Sequence, residues 1–303
     1  MERQNRGTLG KMVGIIPLDG YEYDEKLPYA PWLKPLVENL TLAENAVLQC
    51  AFLGCKQIII VCEERSARML KRHLGEWVED PKKYFNSFVD FPNDYKVQIP
   101  IYYTRIPEKD RRQRGSASWA IIHGANFANS MSQRLSKWSM AKNFFVTFPW
   151  TATDFWEMKN KAFEATRKDE SYFSYEGKSI WDGEYLPFIF NQKSFAKMRA
   201  NFHEQNTLVW KTVAPYKSQD KWLERLPKEE QYSGRHFPID KLVQPVVKEE
   251  IREIPLEMYF NAFTWEGYSK AVGTYTYRRP KSLYLQQKGG NRRLERIGVE
   301  EDE

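Results

Sequence analysis

Apolar residues come in two rhythms over the first half of the chain. Ile58, Ile59, Ile60 and Val61 form an unbroken β-branched run, the pattern of a strand buried on both faces of a parallel sheet rather than wetted on one side. Before it, Ala43, Ala46, Val47, Cys50 and Ala51 recur at helical spacing. Thr41 with Glu44 forms a capping box, and Gly54 stands where a C-terminal cap belongs. The pattern predicts a helix from about Leu42 to Leu53, set between an apolar strand ending in Pro17-Leu18-Asp19-Gly20 and a strand over Gln57 to Cys62. A right-handed crossover joins the two strands.

The alternation continues. Ser66 to Leu74 reads as a helix stopped by Gly75, Val97 to Thr104 as a strand, Ser116 to about Asn129 as a helix, and Asn143 to Phe148 as a fourth strand. Tyr84 to Tyr95 reads as a loop or insertion, and Arg105 to Arg114 as a basic loop. Such a β-α-β-α-β-α-β order predicts an α/β fold, a three-layer α/β/α Rossmann-like, mostly parallel sheet. Beyond Pro149 the pattern is less regular: helices near Asp154 to Thr166 and Gln192 to Glu204, a short strand at Tyr185 to Phe190, and a charged, proline-punctuated excursion over Lys217 to Pro245. Residues 1–150 are expected to form the α/β core, 151–290 a continuation of the same fold, and 291–303 a charged tail.

Composition narrows the class. The 303 residues are 42% hydrophobic, enough for a sizeable core. No stretch approaches the roughly 20 apolar residues needed to span a bilayer, and the polar start has no apolar signal region, so no membrane partner and a cytoplasmic site are expected. Cys50, Cys55 and Cys62 lack metal-ligand spacing and read as small buried side chains. A net charge of +6 and a pI near 9.0 invite a polyanion, either nucleic acid or the phosphates of a nucleotide. The basic residues gather at Lys109 to Arg114, Arg278 to Lys281 and Arg292 to Arg296.

A strand, a glycine turn, a lysine (Lys34, followed by Pro35), a capped helix and a second strand is the way many nucleotide-binding α/β domains begin. Four segments then resemble the sugar-phosphate nucleotidyltransferases, or nucleotide-sugar pyrophosphorylases, whose fold is shared with the GT-A glycosyltransferases. Val13 to Gly20 stands where that family has its first strand and glycine-rich nucleotide loop. Trp32-Leu33-Lys34-Pro35-Leu36-Val37 is similar to its Pro-Lys-Pro-Leu segment, whose lysine contacts phosphate. Arg114-Gly115-Ser116-Ala117-Ser118 resembles the turn that opens a helix beneath the nucleotide. Phe263 to Ala271 looks like the late Asp-x-x-Thr-x-Glu-x-Tyr stretch.

The resemblance implies a GT-A-like fold and catalytic candidates in Lys34 and Asp19. It places Pro17, Leu18, Gly20, Arg114, Gly115 and Ser116 beside a nucleotide, and Asp182, Gly183 and Glu266 beside a sugar or acceptor. It also implies Mg²⁺, a hard cation held by carboxylates and substrate phosphates. Here the chain departs from the family: Phe148-Pro149-Trp150 and Asn261 stand where the metal aspartates belong, and the first loop lacks its glycines and arginine. The metal ligands are therefore unknown from the sequence, with Asp19, Asp154 and Asp182 the carboxylates best placed to substitute.

Each candidate also has a structural reading. Asp19-Gly20 and Asp182-Gly183 read as turns, Asp154 as a helix N-cap, and His123 as packing. His73 suits a helix C-terminus, and His203 and His236 have no paired ligand spacing. No Walker loop is present.

Three functions fit: nucleotidyl transfer to a sugar phosphate, glycosyl transfer from a nucleotide sugar to a polyanionic acceptor such as DNA, and a catalytically inactive binding or assembly protein on the same fold. The oligomeric state is left open.

Overall fold

The computed structural model describes residues 12–18, 31–37, 40–81, 98–108, 110, 115–135, 141–206, 210–213, 222–225, 237–275 and 285–286. The first strand, β1 (Met12–Pro17), leads through a 3₁₀ turn at Pro31–Leu33 to the small hairpin β2 (Pro35–Val37) and β3 (Leu40–Thr41). The helix α1 (Leu42–Leu53), strand β4 (Gln57–Val61), helix α2 (Glu64–Leu74), and strands β5 (Trp77–Glu79) and β6 (Gln98–Thr104) follow. Then come helix α3 (Ala117–Leu135), strands β7 (Asn143–Val146) and β8 (Thr151–Thr153), helix α4 (Phe155–Arg167), and strands β9 (Ser171–Ser174) and β10 (Phe188–Asn191). The order closes with α5 (Gln192–Asn206), β11 (Trp210–Val213), β12 (Trp222–Arg225), α6 (Ile239–Val243), β13 (Arg252–Pro255), β14 (Tyr259–Asn261), α7 (Trp265–Tyr275) and β15 (Leu285–Gln286).

Among the described residues nine strands form one sheet, in the order β13-β9-β10-β7-β1-β4-β6-β5-β15. At its centre β7, β1, β4 and β6 run parallel, with Ile15 opposite Ile59 and Val146, and Ile59 opposite Tyr102. β10 runs antiparallel to both neighbours, and β13 runs parallel to β9. Three further two-stranded pairs lie apart from this sheet: β11 with β12, β14 with β8, and β2 with β3.

Side chains on successive strand positions point to opposite faces, and each face has its own core. Met12, Ile16, Ile58, Ile60, Phe145 and Ile189 pack with α1 and α4 on one side. Val13, Ile15, Ile59, Val61, Phe144, Val146 and Phe190 pack with α3, α5 and α6 on the other. The result is the three-layer α/β/α arrangement that the sequence pattern predicts.

Helix α1 spans the predicted residues, and its caps are as expected. Glu44 N–H donates to Thr41 Oγ1 at 3.3 Å, Thr41 N–H donates to the Glu44 carboxylate at 2.6 Å, and Gly54 takes the left-handed conformation with φ 96°. All twelve of its residues are buried, because the helix is held between the sheet and α4, where Phe52 meets Phe155 with centroids 5.0 Å apart. That burial requires close approach at β1. A methyl group on Gly14 would lie 2.7 Å from Cys50 Sγ, so only glycine lets the helix settle on the strand.

Three expectations are corrected. The third core helix continues past Asn129 to Leu135. The described end of the supposed surface excursion is core instead: Phe237, Ile239, Leu242 and Val243 are buried, and Phe237 packs on Phe202 at 4.8 Å. Short strands β5, β8, β9, β13 and β14 were not predicted, because three or four residues hold too little periodicity to read. β9 is further disguised by Ser171, which is fully buried and donates its hydroxyl to the Ala165 carbonyl at 3.0 Å. No described helix is long and apolar enough to cross a membrane. The segment Tyr84 to Tyr95 and the basic clusters at Arg111 to Arg114, Arg278 to Lys281 and Arg292 to Arg296 lie outside the described residues.

Candidate functional site

The central parallel strands point their carboxyl ends toward one edge of the sheet, the edge at which open α/β sheets bind ligands. β1 ends there with Pro17 opposite Val61, and Leu18, itself buried, donates its N–H to the Val61 carbonyl at 2.8 Å. Asp19 and Gly20 lie outside the described residues, as does Arg114. Gly115 is half-buried, and Ser116 caps α3 by accepting the Trp119 N–H at 3.2 Å. Ser118 then donates its hydroxyl to the Phe237 carbonyl at 2.9 Å and so ties α3 to the start of α6.

Lys34 is brought to the same edge but turned inward. It is 1% exposed, and its Nζ lies 5.0 Å from the centroid of the Tyr268 ring, whose hydroxyl donates to the Pro35 carbonyl at 2.7 Å. Two of the resembling segments, that around Lys34 and that around Glu266, therefore meet through β2 and α7. His123 faces the Thr104 hydroxyl at 3.2 Å. Asp154 accepts the Trp156 N–H at 2.9 Å, the N-cap role read from its position.

The two places where metal aspartates belong also come together. β14 pairs antiparallel with β8 so that Asn261 lies opposite Thr151, and Ala262 N–H donates to the Trp150 carbonyl at 2.8 Å. The side chains there do not suit Mg²⁺, which needs several hard oxygen ligands, carboxylates above all. Phe148 is fully buried in an aromatic cluster with Trp150 at 5.6 Å and Tyr185 at 5.2 Å. Asn261 Oδ1 accepts the Phe263 N–H at 3.1 Å and so serves the turn into α7. Among the described residues no group of three or more His, Cys, Asp or Glu could hold a metal ion.

Next to Asn261 lies a cleft of about 620 Å³. Its position follows from the sheet: β10 starts opposite the carboxyl end of β7, and β9 ends beside that start. The turn after β9 and the loop before β10 thus reach the ligand-binding edge. Tyr175 and Lys178 exchange backbone hydrogen bonds at 3.0 Å, which closes a two-residue turn with positive φ at both Glu176 (51°) and Gly177 (77°). Tyr175, Glu176, Lys178 and Glu184 form one wall. Tyr259, Asn261 and the first two turns of α7, with Glu266 and Lys270, line it from the other side.

Four of the five described charges that line the cleft are matched in pairs. Lys270 Nζ donates to Glu266 at 2.8 Å and Lys178 to Glu184 at 3.5 Å. The first contact holds the Glu266 carboxyl below its ordinary pKa and Lys270 above its own. Burial, with the Glu184 carboxylate beside it, pushes the Tyr259 hydroxyl well above the usual tyrosine range, and burial followed by Glu176 raises Tyr175. Both phenols stay neutral at physiological pH.

Of the residues placed by resemblance beside a sugar, Glu266 lines the cleft. Asp182 is engaged elsewhere. Its carboxylate accepts the Ser179 N–H at 2.9 Å and hydroxyl at 2.7 Å, and Gly183 closes that 3₁₀ turn with φ 81°. Sequence reasoning passed over Tyr175, Lys178, Glu184, Tyr259 and Lys270. Their one legible signal was the Glu176-Gly177 dipeptide, which marks a tight turn between strands.

No protein-family model matches the chain, and no curated protein sequence matches it. Similarity appears among solved structures. A Bacillus anthracis protein described as a glucose-1-phosphate thymidylyltransferase, in complex with sucrose, aligns with a TM-score of 0.50 at 10% identity over 87% of this chain and 94% of its own. A UDP-glucose pyrophosphorylase complexed with UDP-glucose aligns at 0.46, 12% identity, over 88% and 99%. Rv0371c of Mycobacterium tuberculosis aligns at 0.46, 12% identity, over 87% and 98%. The protein thus has the fold of the sugar-phosphate nucleotidyltransferases, the one that the four sequence segments imply.

Proposed function

We propose that the protein binds a nucleotide sugar on this fold, with the nucleotide over the carboxyl ends of β1, β4 and β6 and the sugar in the cleft beside Asn261. The observation that carries the reading is the placement of the cleft: it opens at the carboxyl edge of the parallel strands, where such sheets bind ligands. Gly115 and Ser116 flank the base in this reading, and Pro17 and Leu18 form the floor beneath the phosphates. Lys34 contributes positive charge from beneath Tyr268. The residues at the metal positions speak against the usual metal-assisted nucleotidyl transfer, so the nucleotide sugar is bound rather than made.

Calorimetric titration with a panel of nucleotide sugars and nucleoside triphosphates tests this reading. Saturable binding of a nucleotide sugar supports it, and no binding across the panel overturns it. A second reading, nucleotidyl transfer with other groups in place of the missing aspartates, is favoured by the retained fold edge. Release of pyrophosphate from a nucleoside triphosphate in the presence of a sugar phosphate would establish it.

A further inference from the structure

The outward face of α5 carries positive charge that no described carboxylate answers, and we propose that it is a docking surface for the phosphodiester backbone of a nucleic acid. The inference is independent of the nucleotide-sugar site.

Helix α5 buries Ser194, Phe195, Met198 and Phe202 against the core. Its opposite face presents Lys193, Ala196, Lys197 and Ala200, with Arg199 on the flank, all exposed. Lys193 and Lys197 stand one turn apart, about 6 Å along the helix axis. Elsewhere exposed cations are neutralised locally: Arg68 and Arg105 face Glu64, and Lys71 faces Glu76. Among the described residues no carboxylate lies within ion-pair distance of Lys193, Lys197 or Arg199. The one acid of α5, Glu204, lies two turns beyond Lys197, and Glu170, at the start of the helix, accepts the Asn191 N–H at 3.3 Å. Of the helices packed on α5, α6 brings one charge of each sign in Asp240 and Lys241, and α3 brings no acid. Like charges one turn apart destabilise a helix, so the bare row is a local cost that a bound polyanion would relieve.

The shape and chemistry of the face favour a nucleic acid. Phosphodiesters form a row of negative charges with condensed counterions, and each phosphate met by Lys or Arg releases some of them. Ala196 and Ala200 leave the helix surface low between the cations, so that such a row can lie close. A membrane needs something else. Amphipathic helices that bind bilayers sink an apolar face into the headgroup boundary, and the apolar face of α5 is already used in the core. The net charge of +6 over the whole chain adds attraction at longer range.

The test is fluorescence anisotropy of the full chain with a labelled DNA duplex and an RNA duplex of the same sequence, over rising KCl. Binding of either duplex at low salt is expected, with the logarithm of the affinity falling linearly against that of the salt concentration, and the tighter one distinguishes DNA from RNA. Combining Lys193→Ala, Lys197→Ala and Arg199→Ala should flatten the slope by about 3, near one for each lost phosphate contact, without lowering the melting temperature. Combining Arg68→Ala, Lys71→Ala and Arg105→Ala removes the same net charge from paired positions and should change the slope by less than about 1. The proposal is overturned by no binding to either duplex at low salt, by an unchanged slope in the α5 variant, or by an equal loss in the paired-position variant. Displacement of the duplex by phosphatidylserine vesicles would also overturn it, since the face would then be a membrane surface.

Discussion

Gly267 in the first turn of α7 lies directly on the backbone of Asn261: a methyl group added to the glycine would sit 1.9 Å from the Asn261 carbonyl oxygen. The helix start and the end of β14 are therefore locked together, and Thr264, which accepts the Gly267 N–H at 3.2 Å, fixes the entry of the chain between them. This junction forms one wall of the cleft.

Gly267→Ala must push α7 away from β14, since a carbonyl oxygen on a paired strand cannot swing aside as a flexible side chain does. The expected cost is about 1–3 kcal/mol in urea denaturation, with a loss of ligand affinity from the displaced wall. A variant as stable as the parent would show that the junction is loose.

Gly14→Ala tests the approach of α1 to the sheet. Its new methyl group meets Cys50 Sγ at 2.7 Å, so a loss of about 1–3 kcal/mol is expected. Removing the sulfur with Cys50→Ala in the same chain should recover part of it. Strictly additive losses in the double variant would contradict the contact.

Lys34 and Tyr268 should be energetically coupled. Lys34→Ala removes a buried stem and a cation above a ring, and a loss of about 2–4 kcal/mol is expected, in the range of large-to-small core changes. A double-mutant cycle with Tyr268→Leu should give a coupling of about 0.5–2 kcal/mol. Zero coupling would separate the two residues.

The core of this fold was legible because its elements are long and their apolar residues periodic: α1 was read to the residue from Thr41, Glu44 and Gly54, and β4 from its isoleucines. That Asn261 stands at the family's second aspartate position was legible too, through the late motif, but its pairing with β8 was not. The cleft was not. Its walls come from a two-residue turn, a loop and three-residue strands that meet through long-range pairing, and Tyr175 and Tyr259 are 84 positions apart in the chain. For Asp182 the turn reading holds, with Gly183 in the left-handed conformation and Ser179 donating to the carboxylate; in the sequence alone an Asp-Gly pair at a turn and an Asp at a site look alike.

The Asp182 cap gives a pH-dependent prediction. The Ser179 hydrogen bonds, with smaller help from Lys248, lower its carboxyl pKa from the ordinary 3.8. A carboxyl whose folded pKa is depressed stabilises the fold above its unfolded value, and that contribution fades as pH falls through the folded one. The side chain is about half exposed, so the benefit stays at the level of a helix cap, about 1 kcal/mol. The stability gap between the parent and Asp182→Ala should be full at neutral pH and shrink below 3.8. A gap that is constant into acid would exclude the carboxylate as its source.

Metal-independent binding of a nucleotide sugar is tested by the melting temperature measured against nucleotide sugars, with Mg²⁺ and again with EDTA. A ligand at about a hundred times its dissociation constant should add roughly 2.7 kcal/mol of stability. A nucleotide sugar should raise the melting temperature equally in Mg²⁺ and in EDTA, as expected for a site whose metal positions hold Phe148 and Asn261. A rise that appears only with Mg²⁺, or none with any nucleotide sugar, would contradict it.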